Sequence, residues 1–313
     1  MNKKIQWGWR VPDFPVSGES TAEFRDRIIA YGETARQHCA SLWVADHFVP
    51  WFEPMDPRTD TLEAWTTLTY LAARFPEMLA GNLVLSQSYR PPAMLAKMGA
   101  TLQALTHGRF ILGIGAGWKE DEYLAYGYDF PSAAVRIAQL EEAVRIIKLM
   151  WTEPRATFHG RYYHIEGAIC EPKPVPIPPI VIGGGGRKLT LRVVAEHADW
   201  WNIPGSSPEE YAEMLETLRG HCQAVGRDYD EIVKTWSCDC VALAPKTEAA
   251  QALAQAHPLG KLSGGLIGNP DEVAAALERY TRMGVEHFIL RFLDFPKPDG
   301  MELFFKEVAP RFV

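Results

Sequence analysis

The chain lacks the short motifs that mark the common hydrolase, zinc and nucleotide-binding classes. It has no Gly-x-x-x-x-Gly-Lys-Ser/Thr loop, no Gly-x-Ser-x-Gly nucleophile turn and no His-Glu-x-x-His helix. No Gly-x-Gly-x-x-Gly motif opens a first βαβ unit, which argues against the usual dinucleotide fold. The five cysteines form no Cys-x-x-Cys pair, so we interpret them as reduced thiols in a cytoplasmic protein.

Long hydrophobic runs and an excess of positive charge are also missing. No segment is apolar for the roughly 20 residues that crossing a bilayer requires, and the first residues lack the apolar core of a signal peptide. The net charge of −7 argues against a nucleic-acid or anionic-membrane surface. We therefore expect a small-molecule substrate and neither a nucleic acid nor a membrane as partner.

Glycine, in contrast, is concentrated at two points where a buried strand is predicted to end. Residues 110–118 read Phe-Ile-Leu-Gly-Ile-Gly-Ala-Gly-Trp, and residues 179–188 read Pro-Ile-Val-Ile, four glycines, Arg and Lys. A backbone without Cβ atoms allows a flat ligand to lie against it. Four glycines and two cations before a predicted helix also suit a phosphate, because exposed N–H groups attract an anion. Ordinary tight turns are the alternative explanation.

Short apolar strands alternate with amphipathic helices along the chain. Roughly eight βα units predict a parallel sheet that closes into a (β/α)8 TIM barrel, with its active site on the loops after the strands. A doubly wound open sheet is the alternative. We expect one domain over residues 1–313, with a continuous third strand at 78–86. A hairpin inserted at 157–171 and a candidate lid at 246–268 depart from the repeat.

Individual side chains near the predicted strand ends suggest chemistry. His47 can donate to a ligand carbonyl or relay a proton, although a histidine that only caps a turn is the alternative. Asp46 is better suited to orienting neighbouring groups than to acting as a proton donor. Trp118 can stack on a substrate or simply cover the barrel. The pair His159 and His164 lies in the predicted hairpin without a recognisable carboxylate pattern, so we predict no metal site.

Five motifs follow one another in a fixed order. They are Leu42-Trp-Val-Ala-Asp-His47, Leu112-Gly-Ile-Gly-Ala-Gly-Trp118 followed by Glu122, Arg136-Ile-x-Gln-Leu-Glu-Glu-Ala143, Pro178-Pro-Ile-Val-Ile-Gly-Gly-Gly-Gly186 and Ala195-x-x-Ala-Asp-x-Trp-Asn202. In this order they resemble motifs of the luciferase-like monooxygenase superfamily. Its members are (β/α)8 barrels that bind reduced FMN or the deazaflavin coenzyme F420.

Within this superfamily, Asp46-His-Phe-Val-Pro-Trp51 is similar to a segment of the F420-dependent sugar-phosphate dehydrogenases, in which the histidine lies by the reactive carbon of the deazaflavin. Where those enzymes have Gly-Thr-Gly-Glu, this chain has Gly115-Ala-Gly-Trp118, so the carboxylate at that position is missing. The resemblance therefore does not imply that this chain oxidises sugar phosphates. The resemblance implies hydride transfer between F420 and a small organic substrate. The alternatives are an FMNH2-dependent monooxygenase that uses O2 and a cofactor-less binding protein on the same barrel.

The residue patterns and the resemblance together predict a set of site residues. His47 is the predicted catalytic residue. Cofactor contacts are expected from Asp46, Ser86, Ala116, Gly117, Gly183, Gly184, Gly185, Gly186, Arg187 and Lys188. Substrate contacts are expected from Trp51, Trp118, Asn202 and Arg291. Family members often carry a non-proline cis peptide near the position of Ser86, and an ordinary hydrophilic loop there is the alternative. We also expect a homodimer.

Overall fold

A computed structural model describes residues 4–15, 18–52 and 55–312. The strands are β1 (Gln6–Arg10), β2 (Ser41–Val44), β3 (Leu79–Asn82), β4 (Leu85–Ser86), β5 (Phe110–Gly115), β6 (Ala156–His159), β7 (His164–Ala168), β8 (Ile180–Gly183), β9 (Trp200–Pro204), β10 (Val233–Leu243), β11 (Leu266–Gly268) and β12 (Val285–Phe292). The α-helices are α1 (Thr21–Ala35), α2 (Ala64–Arg74), α3 (Pro92–Leu105), α4 (Glu120–Ala125), α5 (Ala133–Thr152), α6 (Thr190–His197), α7 (Pro208–Val225), α8 (Thr247–Ala256), α9 (Pro270–Thr281) and α10 (Asp299–Leu303).

The starts of several helices follow from local sequence. Ser20, Ser207 and Asn269 each accept a backbone N–H of the following helix, and a glutamate three residues later bonds back to the cap residue. These reciprocal bonds satisfy N–H groups that the first turn leaves unpaired. Within the described ranges, no helix combines the length and the apolar character that spanning a membrane requires.

Eight strands form a closed parallel barrel in the order β1-β2-β3-β5-β8-β9-β10-β12, and β12 pairs with β1 to close it. The short strand β4 continues the edge of β3 and pairs with β5, while β11 pairs with the end of β10 outside the ring. The closed ring confirms the predicted (β/α)8 barrel and excludes the open sheet. In this pairing Gln6 of β1 lies opposite His287 of β12, so the first and the last strand of the chain are neighbours.

The barrel interior is filled by side chains from facing strands. Trp43, Ile111, Val181 and Ile289 come from four different strands and form one buried cluster inside the ring. His287 lies beside them, with Nε2 2.8 Å from Ser41 Oγ. Burial lowers the pKa of His287 to about 3. Such packed layers hold the strand ends in fixed positions around the mouth of the barrel.

Three segments differ from, or add to, the simple repeat. The predicted continuous strand at 78–86 is wrong, because β3 ends at Asn82 and β4 starts at Leu85. The peptide bond between Leu83 and Val84 in this break is cis, close to the position that the resemblance implied. The antiparallel pair β6–β7 lies in the predicted hairpin region. The stretch 246–268 contains α8, a 3₁₀ turn over Pro258–Lys261 and β11.

Candidate active site

A cavity of about 650 Å³ opens at the carboxyl ends of the barrel strands. Of the predicted site residues, those that line it are Asp46, His47, Trp51, Ser86, Ala116, Gly117, Trp118, Gly183, Gly184, Gly185, Gly186 and Asn202. Leu262 and Ser263, from the candidate lid, also line it. The cavity is therefore located where (β/α)8 enzymes carry their active sites.

His47 is held by a buried carboxylate that sequence reasoning did not single out as its partner. The Nδ1 atom of His47 lies 2.9 Å from Glu122 Oε2. Glu122 Oε1 accepts the backbone N–H groups of Phe48 and Val49 at 3.0 and 3.2 Å. The Glu122 side chain is 1% exposed and that of His47 is 12% exposed. Because one ring nitrogen is engaged, the other is the one available to a ligand in the cavity.

This contact changes the interpretation of the loop that follows β5, the fourth strand of the barrel. Trp118, at the position where the resemblance to the sugar-phosphate dehydrogenases implied a glutamate, is largely exposed. The carboxylate comes instead from α4, four residues further along the chain, where Glu122 is buried. The departure at Trp118 therefore does not leave His47 without an anionic neighbour.

Two neighbouring residues hold the carboxylate of Asp46 in place. Its carboxylate binds the guanidinium of Arg90 through two bonds of 2.9 and 3.1 Å. The same carboxylate accepts the N–H of Ser86 at 2.9 Å. Asp46 thus ties the exit of β2 to the exit of β4. The hydroxyl groups of Ser86 and Tyr123 are also hydrogen-bonded to each other.

The glycines of β5 and β8 make room for Val84. A Cβ atom on Gly115 or Gly183 would lie 2.9 or 2.8 Å from a methyl carbon of Val84. Val84 itself lines the cavity. The surface beside these glycines is therefore an apolar side chain as well as backbone. Gly117 is required for a different reason. Its φ is +75°, and a Cβ there would lie 1.8 Å from the Tyr123 hydroxyl oxygen.

The lining of the cavity includes both the glycine run and a cation from α5. Gly183–Gly186, Thr190 and Arg136 all line it. The Arg136 guanidinium lies 3.8 Å from the centroid of the Phe130 ring, and its Nε is buried without a hydrogen-bond partner in the described part of the chain. Guanidinium groups and glycine backbone N–H groups are both donors that suit an anionic ligand group.

The structure does not bring Arg187 and Lys188 to the cavity. Both are exposed, and the Arg187 guanidinium pairs with the carboxylate of Glu213 on α7. The helix α6 begins at Thr190, so the two cations lie in the turn before it. Arg136, in contrast, lines the cavity, although the sequence pattern around it gave no sign of a cofactor contact.

The cavity also meets a network of charged groups around Arg10. Arg10 binds both carboxylate oxygens of Asp13 at 2.8 and 2.7 Å and lies 3.3 Å from Asp239. Burial opposes ionisation of Asp13, but Arg10 outweighs this effect and the pKa of Asp13 lies below its ordinary value. Arg10 and Asp239 line the cavity, whereas Asp13 lies behind Arg10. Arg291 contacts Asp13 at 3.5 Å and does not line the cavity.

Two of the predicted substrate residues, Trp51 and Trp118, lie against His47, and Asn202 lines the cavity elsewhere. The ring centroids of Trp51 and Trp118 lie 6.0 and 5.6 Å from that of His47. The Trp51 indole donates to Asp13 at 3.3 Å, which connects the aromatic wall to the Arg10 network. The Asn202 side chain donates to Thr235 at 2.9 Å and accepts from Ser237 at 3.1 Å. Both of its amide atoms therefore already bind β10.

Comparisons with known proteins agree with this architecture. The family model described as luciferase-like monooxygenase matches residues 26–263. The F420-dependent glucose-6-phosphate dehydrogenase of Kineococcus radiotolerans is 30% identical over 286 residues, which is 82% of this chain and 84% of that protein.

Two solved structures share the fold at low sequence identity. An F420-dependent secondary alcohol dehydrogenase in complex with an F420–acetone adduct superposes with a TM-score of 0.79 at 18% identity, covering 99% of this chain and 98% of the other. The FMN complex of the oxygenating constituent of 3,6-diketocamphane monooxygenase from Pseudomonas putida has a TM-score of 0.77 at 17% identity, covering 99% of each chain. With the family model spanning most of the barrel, the chain belongs to the luciferase-like monooxygenase family.

Proposed function

We propose that this protein is an oxidoreductase that transfers a hydride between coenzyme F420 and a small organic substrate. The observation that carries the proposal is the buried His47–Glu122 pair at the mouth of the barrel, 2.9 Å apart and facing the cavity. The relative that is 30% identical is named an F420-dependent dehydrogenase, which supports F420 over other cofactors.

The residues of the cavity fit a flat ring with a phosphate-bearing tail. Val84 offers an apolar surface on which the ring can lie. We propose that the backbone of Gly183–Gly186 and the guanidinium of Arg136 hold the phosphate. Arg136 lines the cavity and carries a permanent positive charge, which supports this assignment.

Bound F420 supplies a carbon that can accept or release a hydride. In the proposed mechanism, the free ring nitrogen of His47 takes the hydroxyl proton of an alcohol as the hydride leaves its carbon, and returns it to a carbonyl oxygen in the reverse direction. Glu122 holds the imidazole in the tautomer that leaves this nitrogen as the acceptor. Trp51 and Trp118 flank His47 and reduce the access of water.

FMN-dependent monooxygenation is the second candidate function. Reduced FMN has a similar ring and a phosphate, and the solved neighbour with FMN has the same fold. This function would require O2, whereas hydride transfer with F420 would not. Oxygen consumption therefore separates the two candidates.

An anaerobic turnover assay tests the proposal. Oxidised F420 is mixed with the enzyme and a panel of alcohols, sugars and sugar phosphates, and reduced F420 with ketones and aldehydes. We expect a substrate-dependent change in the visible absorbance of F420 for one chemical class and none in enzyme-free controls. Oxygen-dependent oxidation of the panel with reduced FMN, together with no reaction of F420, would overturn the proposal in favour of the monooxygenase.

We further propose a homodimer that uses the surface around α3. Leu105 on α3 and Val175 and Ile177 on the connector after β7 are exposed apolar side chains. The connector is fixed to the helix, because Gln103 donates to the carbonyl of Pro176 at 2.6 Å. Exposed apolar patches of this kind often mark contacts between subunits. Light scattering on Val175→Glu should show a monomer where the wild type shows a dimer, and a wild-type monomer would refute this surface.

We also propose that the protein is located in the cytoplasm. All five cysteines are free thiols and buried. Thiols of this kind persist in reducing compartments. Fractionation of cells that express the native chain would test this location, and recovery in an extracytoplasmic fraction would contradict it.

A further inference from the structure

Three metal-ligating side chains share one face of the β6–β7 hairpin. His159 and His164 are direct cross-strand partners in the sheet register. Glu166 lies two residues beyond His164, so its side chain is on the same face. One possible ligand atom from each residue lies within 4.8 Å of the others. This carboxylate was not recognised from the sequence, because only the strand register aligns it with both imidazoles.

The contacts within this cluster are those of good ligands held close together. The Nδ1 atoms of His159 and His164 are 2.9 Å apart. The other ring nitrogen of His159, Nε2, lies 3.2 Å from a carboxylate oxygen of Glu166. A cation held between the two Nδ1 atoms therefore requires the Glu166 side chain to turn toward it, and one ligand atom of each residue already lies within 4.8 Å of the others.

The hairpin is ordered by contacts that do not involve the cluster. The carboxylate of Glu142 on α5 accepts the N–H groups of Arg161, Tyr162 and Tyr163 at 2.7, 2.9 and 3.0 Å. Gly160 donates to the carbonyl of Tyr163 at 2.9 Å and closes the turn. The two strands are therefore already paired, so binding an ion requires rotation of exposed side chains and no change of the backbone.

We propose that His159, His164 and Glu166 bind a divalent transition metal, with Zn²⁺ as the best match. Two imidazole nitrogens and one carboxylate are a common zinc donor set, and tetrahedral Zn–N bonds of about 2.0–2.1 Å separate ligand atoms by about 3.3 Å. The measured 2.9 Å separation reaches that value through small side-chain rotations. The cluster is exposed, so water completes the coordination. Imidazole donors make Mg²⁺ and Ca²⁺ poor candidates.

A second cluster of similar composition gives a useful contrast. Glu141, Glu196 and His197 also lie close together. The guanidinium of Arg192 binds both carboxylates there, at 2.7 and 2.8 Å. A cation already occupies that site, so we do not assign it a metal. The hairpin cluster has no such guanidinium bound to Glu166 among the described contacts.

Calorimetric titration of the EDTA-treated full chain with ZnCl2 tests the hairpin site. We expect one Zn²⁺ per chain, and we expect His159→Gln and His164→Gln each to weaken binding by more than about tenfold, since even the loss of outer hydrogen bonds costs a metal site about 10- to 100-fold. His221→Gln removes a partly exposed histidine outside the cluster and should bind like wild type. Co²⁺ should give a visible absorption band that the His159→Gln variant lacks.

Two outcomes would overturn the assignment. One is the absence of stoichiometric Zn²⁺ binding to the wild type. The other is unchanged binding in a His159→Gln, His164→Gln double variant whose circular dichroism matches the wild type. The F420 affinity should not change in any of these variants, because the cluster does not line the cavity.

Discussion

Replacement of Glu122 by glutamine tests the chemistry of the barrel mouth. In Glu122→Gln the amide oxygen can still accept the N–H groups of Phe48 and Val49, which the carboxylate accepts at 3.0 and 3.2 Å. The amide nitrogen must then donate to His47 Nδ1 in place of the carboxylate oxygen that lies 2.9 Å away. This forces the imidazole proton onto the nitrogen that faces the ligand. An alcohol hydroxyl would meet a donor where it needs an acceptor.

The size of the effect follows from the loss of the charge on the partner of His47. A hydrogen bond to a charged group contributes about 1.5–3 kcal/mol when its partners are shielded from water. Glu122 is 1% exposed and His47 is 12% exposed, so water cannot take the place of the carboxylate. Since each 1.4 kcal/mol corresponds to about a factor of ten in rate, kcat/KM for alcohol oxidation should fall by about 10- to 150-fold.

The assay compares this variant with Glu120→Gln. Both residues lie on α4, and both substitutions remove one negative charge, but Glu120 is exposed. Glu120→Gln should keep the wild-type kcat/KM, and both variants should keep the wild-type F420 affinity. A correctly folded Glu122→Gln enzyme with the wild-type kcat/KM would refute the role assigned to the pair.

Further substitutions test separate parts of the account. His47→Ala should lower kcat by about a hundredfold, within the range for a general acid or base, while the F420 affinity changes much less; loss of binding alone would instead make His47 a binding residue. Arg136→Ala should weaken F420 binding by at least about tenfold, as expected for a charged hydrogen bond. The control Arg145→Ala removes an exposed arginine of the same helix and should leave F420 binding unchanged. Equal affinities of the two variants would place the phosphate elsewhere. Burial lowers the pKa of His287 from 6.5 to about 3. Below pH 6.5 the unfolded chain therefore binds a proton at this residue that the folded chain does not bind. The free energy of unfolding decreases as the pH falls through this range. In urea denaturation, His287→Gln should reduce the stability lost between pH 8 and pH 5 by about 2 kcal/mol, and an unchanged loss would contradict this.

The barrel was predictable because its signal is repeated along the whole chain. Each βα unit carries its own alternation of apolar strand and amphipathic helix, so an error in one unit does not change the conclusion. The third strand was misplaced, since its composition gives no sign of the break between Asn82 and Leu85. That break inserts Val84 into the mouth and explains the glycines opposite it.

The site was less predictable, because its contacts join distant parts of the chain. His47 and Glu122 are 75 positions apart, and no local pattern pairs them. Arg291 lies in β12, next to its last residue, and contacts Asp13 behind the cavity. Arg10 lines the cavity, and its position at the carboxyl end of β1 was a usable signal.

Equilibrium titration of the purified protein with F420 and with FMN tests the central claim most directly. Binding is followed by fluorescence quenching for each cofactor under the same conditions. The account predicts saturable F420 binding with a Kd below about 10 µM, equivalent to about −7 kcal/mol, and FMN binding at least about tenfold weaker. Tight FMN binding without F420 binding would contradict the account, and so would the absence of binding by either cofactor.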